Sequence, residues 1–145
     1  MVQINPYISF NGNCEKAFHY YKSIFGGEFP SINRYSEMPP KDGKSISPVD
    51  AEKIMHISLP ISKETVLMGC DIASSFGPPT VFGNNFSVCL LTDSKKEADR
   101  IFNSLSAGGQ ISMPMMDTFW AAYFGMCTDK FGISWMINVD LKAIK

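Results

Sequence analysis

NPYISFNGNCEKAFHYYKSIFGG (5–27) and NFSVCLLTDSKKEADRIFNSLSAGG (85–109) state one pattern twice. Each begins with a short apolar strand, passes through a polar cap into an amphipathic helix, and stops at Gly-Gly. In the first helix Ala17, Phe18, Tyr21, Ile24 and Phe25 recur at helical steps and form one apolar stripe. Asn13 stands where a side chain accepts from the free amides of the first turn, and Gly26 supplies a left-handed stop. In the second helix Ser94 and Glu97 have the spacing of a capping box. Its stripe is Ala98, Ile101, Phe102 and Leu105, and Gly108 ends it. The copies are 80 residues apart at the asparagines (Asn5, Asn85) and 82 apart at the glycine pairs. Two copies make two half-domains, since a solenoid needs three or more repeats.

Strand-like sequence follows each helix. The first copy predicts strands over 28–36, 53–60 and 65–70, and the second over 110–116, 119–127 and 133–139. MPPKDGKSISPVDAE (38–52), with its prolines and sparse apolar residues, reads as a long loop. SSFGPPTVFGN (74–84) reads as the linker, centred on 75–83, between modules of about 1–74 and 84–145. The order βαβββ, repeated, predicts a single α+β domain with mixed sheets. Its 145 residues agree with about 100–200 per domain.

Composition narrows the function. The chain is 45% apolar and 19% charged, which excludes wholesale disorder. Thirteen basic and fourteen acidic residues leave a net charge of −1. The densest basic spots, Lys41 with Lys44 and Lys95 with Lys96, have acids nearby. Neither nucleic acid nor an anionic membrane is an expected partner. No apolar run is long enough to span a bilayer, and MVQINPYISF lacks the features of a signal peptide. Cys14, Cys70, Cys89 and Cys127 never approach C-x-x-C spacing. Cys89 and Cys127 lie in apolar runs, so the thiols read as buried small hydrophobes in a reducing, cytoplasmic compartment.

NPYISFNGNCEKAFHYYKSIFGGE, IMHISL, LMGCD and GGQISMPMMDTFWAAYFGMCTDKFGISWMIN together resemble the PhnB-like branch of the vicinal oxygen chelate superfamily. That superfamily also contains glyoxalase I, extradiol dioxygenases and bleomycin-resistance proteins. MP-x-x-DTFW and DKFG-x-x-W are the specific stretches. The resemblance implies that two βαβββ modules close, often across a homodimer, into a cup-shaped mixed sheet around a cavity. Metal-using members are expected to hold an ion with His or Glu on inner strands. Carried over by the helix caps and the DKFG turn, those positions fall here at Pro6, Phe86, Met136 and Met68. None is a ligand for a hard or borderline divalent ion. A slip of one residue offers Tyr7, Ser87 and Trp135, which are no better. The expectation is therefore a member without the usual metal ligands and with no cofactor. Sequences of this branch often carry a demethylubiquinone methyltransferase name, but this chain has no glycine fingerprint after a strand.

Other chemistry is thin. His19 falls off the helix stripe and reads as exposed. His56, in IMHISLPI, shares a face by period two with Ile54 and Ser58; it reads first as a hydrogen-bonded core residue and second as a cavity wall. No nucleophile elbow is present. SMPMMDTFW brings Met113, Met115, Met116, Phe119 and Trp120 around Asp117. The methionines read as packing, Trp120 as a candidate pocket wall with a polar handle, and Asp117 as either turn or pocket. Asp71 reads as a turn residue first and a pocket carboxylate second; Asp129 reads as structural.

The expected function is binding of a small, partly apolar or aromatic molecule. The candidate binding set is Trp120, His56, Asp71, Asp117, Phe119, Tyr7, Met68, Phe86 and Met136. The alternative is a metal-dependent glyoxalase- or dioxygenase-type enzyme with displaced ligands, so enzymatic status stays open. A homodimer is the expected assembly.

Overall fold

The computed structural model describes residues 1–39 and 46–143. Of the long loop expected over 38–52, residues 40–45, and with them Lys41 and Lys44, lie outside the described residues. The strands and helices are β1 (Tyr7–Phe10), α1 (Cys14–Phe25), β2 (Ser31–Arg34), β3 (Ile54–Pro60), β4 (Val66–Asp71), β5 (Val88–Thr92), α2 (Lys95–Ser106), β6 (Gln110–Asp117), β7 (Ala122–Thr128) and β8 (Ser134–Asp140). The chain divides into two compact units, Met1–Val81 and Phe82–Lys145. Each has one helix and one four-stranded mixed sheet, ordered β1-β4-β3-β2 and β5-β8-β7-β6. The architecture is α+β, βαβββ twice. Among the described residues no helix is long and apolar enough to cross a membrane.

In the first unit β1 runs parallel to β4, and β3 is antiparallel to both β4 and β2. The buried stripe of α1, including Ala17, Phe18, Tyr21 and Ile24, lies on the face carrying Ile57, Leu59, Leu67 and Gly69. Gly69 is required there: a Cβ at this position would lie 2.6 Å from the Phe18 ring and 2.8 Å from the Ile8 carbonyl oxygen. The second unit repeats the device. Phe102 of α2 closes on Gly125 of β7, and Trp135, Ile137 and Val139 of β8 are buried beside it.

Several expectations need correction. Asn13 occupies the cap position of α1, but its side chain makes no cap hydrogen bond. Ser94 does cap α2, accepting from the Glu97 N–H at 3.2 Å; the Glu97 carboxylate is turned instead to Arg100. Ile54 does not share the His56 face. A bulge pairs Asn33 with His56 but Arg34 with Ile54, so two residues of β3 match one step of β2 and Ile54 swings to the α1 side. β2 begins only at Ser31, after Pro30, and gives way to a single 3₁₀ turn over Tyr35–Glu37. β7 starts at Ala122 because Thr118 and Ala122 close a tight turn, with Ala121 held at φ 62°. Cys89 is exposed, unlike the other three cysteines, because β5 is an edge strand and Cys89 pairs with Met136 on the face away from α2.

Candidate functional site

Strand alternation sorts each sheet into a helix side and an opposite side. In the first unit the register sets Tyr7 beside Met68 and Ser9 beside Cys70, with Ser58 beside both Met68 and Ser31, and His56 beside Asn33. All eight lie on the face turned from α1. The Tyr7 hydroxyl is 3.4 Å from Nδ1 of His56, and the two rings are 5.8 Å apart and tilted. Ser9 Oγ lies 3.8 Å from Cys70 Sγ, and Ser31 donates to Asn33 at 3.2 Å. Tyr7 is half exposed, and partial desolvation of its hydroxyl, reinforced by Cys70 and Cys14, raises its pKa, so this residue stays a neutral phenol. The face is a polar floor of hydroxyl, imidazole, amide and thiol groups beside one thioether.

The second unit offers different chemistry on the equivalent face. Met126 pairs with Met136 and Met113, and Phe124 with Asn138 and Met116. Cys89 and Leu91 extend the face on β5. Trp120, 50% exposed, stands edge-on to Phe124 at 6.1 Å, and Phe119 stands edge-on to Trp120 at 4.9 Å. The two tryptophans contrast. Trp135 is buried and donates its indole N–H to Asp129 at 2.8 Å, whereas the Trp120 indole N–H has no hydrogen-bond partner among the described residues. Thioether and aromatic groups make this a soft, adaptable apolar surface.

The structure thus brings Tyr7, His56 and Met68 together on one face, and Met136 together with the neighbourhood of Trp120 and Phe119 on the other. Phe86 is exposed and precedes β5. Two candidate carboxylates lie elsewhere. Asp71 is 1% exposed on the α1 side. Its Oδ1 accepts from the Gly12 and Cys14 N–H groups at 2.8 and 3.0 Å, and Oδ2 from Ile54 N–H at 2.9 Å. It is the acceptor that Asn13 was expected to supply, so the pocket role is corrected to an anchor. Asp117 turns toward α2, where Lys95 Nζ pairs with it at 2.9 Å and lies over the Tyr123 ring. Met115 is likewise on the α2 side, against Gly125. His19 is exposed, 3.9 Å from Glu15. Asp129 is structural: its oxygens accept from Phe131, Ile133 and Trp135.

Sequence reasoning missed Ser9, Asn33, Cys70, Phe124 and Met126. Alternation from Tyr7 and from Met68 reaches Ser9 and Cys70 directly. Asn33 needed the β2–β3 register, and Phe124 needed the true start of β7. Pro6 precedes β1 and accepts from Met68 N–H at 3.0 Å through its carbonyl. Among the described residues no three His, Cys, Asp or Glu side chains gather as a metal-binding group.

A separate cleft of about 320 Å³ opens in the first unit, where β1 and β4 end, lined by Asn11, Lys53, Ile72, Ser74, Gly77 and Pro79. Its polar groups are engaged. Asn11 clamps Thr80 through both amide atoms, and Asp50 holds Lys53 at 2.8 Å and the Ser74 hydroxyl at 2.8 Å.

The profile of the 3-demethylubiquinone-9 3-methyltransferase family matches residues 2–138. The chain belongs to this family, the PhnB-like branch of the vicinal oxygen chelate superfamily. It is 36% identical over 144 residues to protein YjdN of Escherichia coli, covering 94% of each chain. Among solved structures it is similar to protein PA1353 from Pseudomonas aeruginosa, at 40% identity and TM-score 0.82 over 97% of this chain and 98% of that one. A putative 3-demethylubiquinone-9 3-methyltransferase, PhnB protein, from Bacillus cereus matches at 26% identity and TM-score 0.74 over 95% of this chain and 99% of that one. A glyoxylase/bleomycin resistance protein/dioxygenase domain from Frankia shares the fold at 10% identity and TM-score 0.65, covering 97% and 96%.

Proposed function

We propose that this PhnB-like protein binds a small, partly apolar or aromatic molecule on the sheet faces turned from its helices, without the metal ligands of its superfamily. The observation that carries the reading is the makeup of those faces. Of the four positions that the resemblance assigns to metal ligands, Met68 and Met136 lie on these faces, while Pro6 and Phe86 stand just before β1 and β5. Around them stand a Tyr7–His56 pair in one unit and a Met–Phe–Trp surface in the other. Apolar enclosure with a few convergent polar groups is what small-molecule sites are made of. The methyl-transfer activity in the family's name draws no support from these residues, since no glycine-rich cofactor fingerprint follows a strand.

Metal analysis of the purified protein separates this reading from a glyoxalase- or dioxygenase-type enzyme with displaced ligands. One equivalent of zinc, nickel, manganese or iron overturns it. Side-chain roles are tested with Trp120→Ala and His56→Ala, using 8-anilinonaphthalene-1-sulfonate fluorescence as the binding readout and thermal melts as the folding readout. Both variants are expected to lose probe binding. Trp120→Ala is expected to cost well under the roughly 3–5 kcal/mol lost by a buried tryptophan. Unfolding by Trp120→Ala, with parent-like binding and melting in His56→Ala, sinks the assignment.

We also propose a cytoplasmic homodimer. The four unpaired cysteines support a reducing compartment, and the exposed Leu91, Met116, Phe119 and Trp120 support a second chain as cover. Light scattering on micromolar protein is expected to give twice the 16.1 kDa chain mass; the single-chain mass rejects the dimer.

A further inference from the structure

The Tyr7–His56 contact constrains what the polar face can bind. Tyr7 on β1 pairs directly with Met68 of β4, and His56 lies on β3, so the phenol reaches the ring across β4. Only Nδ1 of the imidazole meets the hydroxyl, at 3.4 Å. Among the described residues no protein group hydrogen-bonds Nε2. A neutral phenol has one proton to give. Near Tyr7 the competing acceptors are His56 Nδ1 and the Cys70 thiol, and an imidazole lone pair is a better acceptor than a thiol sulfur. Donation from Tyr7 to Nδ1 leaves the ring proton on Nε2. The nearby Ser9 and Cys70 face each other at 3.8 Å, and Asn33 already accepts from Ser31 through its carbonyl oxygen.

We propose that Tyr7 is a positioning residue that occupies His56 Nδ1, so that the ring offers Nε2–H as a donor and the face selects small aromatic molecules carrying an acceptor oxygen, such as a ketone, ester or amide carbonyl. This rests on the reading that the face binds a ligand, and it names that ligand's polar end. Tyr7 acts through His56 rather than on the ligand. A carbonyl satisfies Nε2–H, while an ammonium group brings a second donor to a donor and leaves both unpaired.

The test is histidine-selective ¹⁵N NMR at pH 8 with acetophenone and benzylamine as probes. The chain has two histidines, so exposed His19 serves as the internal reference. Acetophenone is expected to move the His56 Nε2 resonance and leave its Nδ1 and both His19 nitrogens in place; benzylamine is expected to move neither His56 nitrogen. Tyr7→Phe, which removes only the hydroxyl, is expected to shift the Nδ1 resonance without probe. It is also expected to weaken acetophenone about five-fold or more, the loss of one hydrogen bond. In a His56→Ala background the same substitution is expected to have no effect. An unchanged Nδ1 resonance in Tyr7→Phe overturns the proposal. So does a Tyr7→Phe effect that persists without His56, or benzylamine moving Nε2 where acetophenone does not. If acetophenone binds and perturbs Trp120 alone, the binding reading stands and this inference fails. If no aromatic probe binds, both fall.

Discussion

Gly69 illustrates how single residues carry this fold. It sits mid-strand in β4 with the Phe18 ring over it and the Ile8 carbonyl beside it, so any side chain meets both aromatic and backbone atoms. Backbone cannot yield as a flexible side chain can. Gly69→Ala is therefore expected to destabilise the protein by about 1–3 kcal/mol, the usual cost of overpacking, read as a lower denaturation midpoint. Gly125→Ala is expected to cost less, because the nearest obstruction there is the movable Met115 sulfur and the backbone atom beside it, Met115 N, lies at 3.1 Å, farther than the 2.8 Å of the Ile8 oxygen at Gly69. Equal losses at the two glycines would show that the backbone contact is not what makes Gly69 special.

The helices differ in where their caps come from. Ser94 caps α2 from its own chain position, and Ser94→Ala is expected to cost about 1 kcal/mol. Asn13 makes no such bond, so Asn13→Ala is expected to be nearly silent. The work is done by Asp71, which ties the start of α1 to the start of β3 through three backbone N–H groups. Asp71→Ala leaves those donors without an acceptor and is expected to cost about 3 kcal/mol or more. Urea melts of the three variants give the order directly, and an Asn13→Ala loss matching Ser94→Ala would refute it. The same logic explains how much of the site was legible. Tyr7, His56 and Met68 lie on extended strands, where alternation is a local property. Asp71 and Asp117 sit at strand ends, where the next turn decides which way a side chain faces.

For the molecule as a whole, ionisable groups set a stability plateau with two limbs. Hydrogen bonds from Arg34 hold the Glu15 carboxyl below its usual range, and Lys53 followed by Ser74 does the same for Asp50. A depressed folded pKa stabilises above the unfolded value of about 4, and the contribution is lost as pH falls through the lower folded values. On the other side, burial followed by the Asp129 charge pushes Cys127 up to about 11. The Asp99 hydrogen bond followed by burial pushes Tyr123 to about 12. Those groups stabilise fully below their unfolded values of about 8.5 and 10, and the contribution is lost as pH rises toward the folded ones. Melting temperature is expected to be flat between about pH 5 and 8 and to fall on both sides. Asp50→Asn is expected to make the acid limb shallower, and Cys127→Ala the alkaline limb. Parent-like limbs in both variants would discard these assignments.

The sequence by itself determined the doubled βαβββ order, the two helices with their buried stripes, and the family. These follow from period and spacing, which are properties of neighbouring residues. Tertiary structure decided everything that depends on register between distant strands. The β2–β3 bulge, not the alternation of β3, turned Ile54 away from His56. Edge position, not the apolar run around it, left Cys89 exposed. Asp71 caps a helix 57 residues away because parallel pairing of β1 with β4 carries its carboxylate to the amides following β1. The contact between Tyr7 and His56 likewise exists only once β4 has been threaded between their strands. A hydrogen bond across a sheet is set by which strands are neighbours, and that is fixed by burying the helix-side face of the whole sheet at once rather than by any one segment.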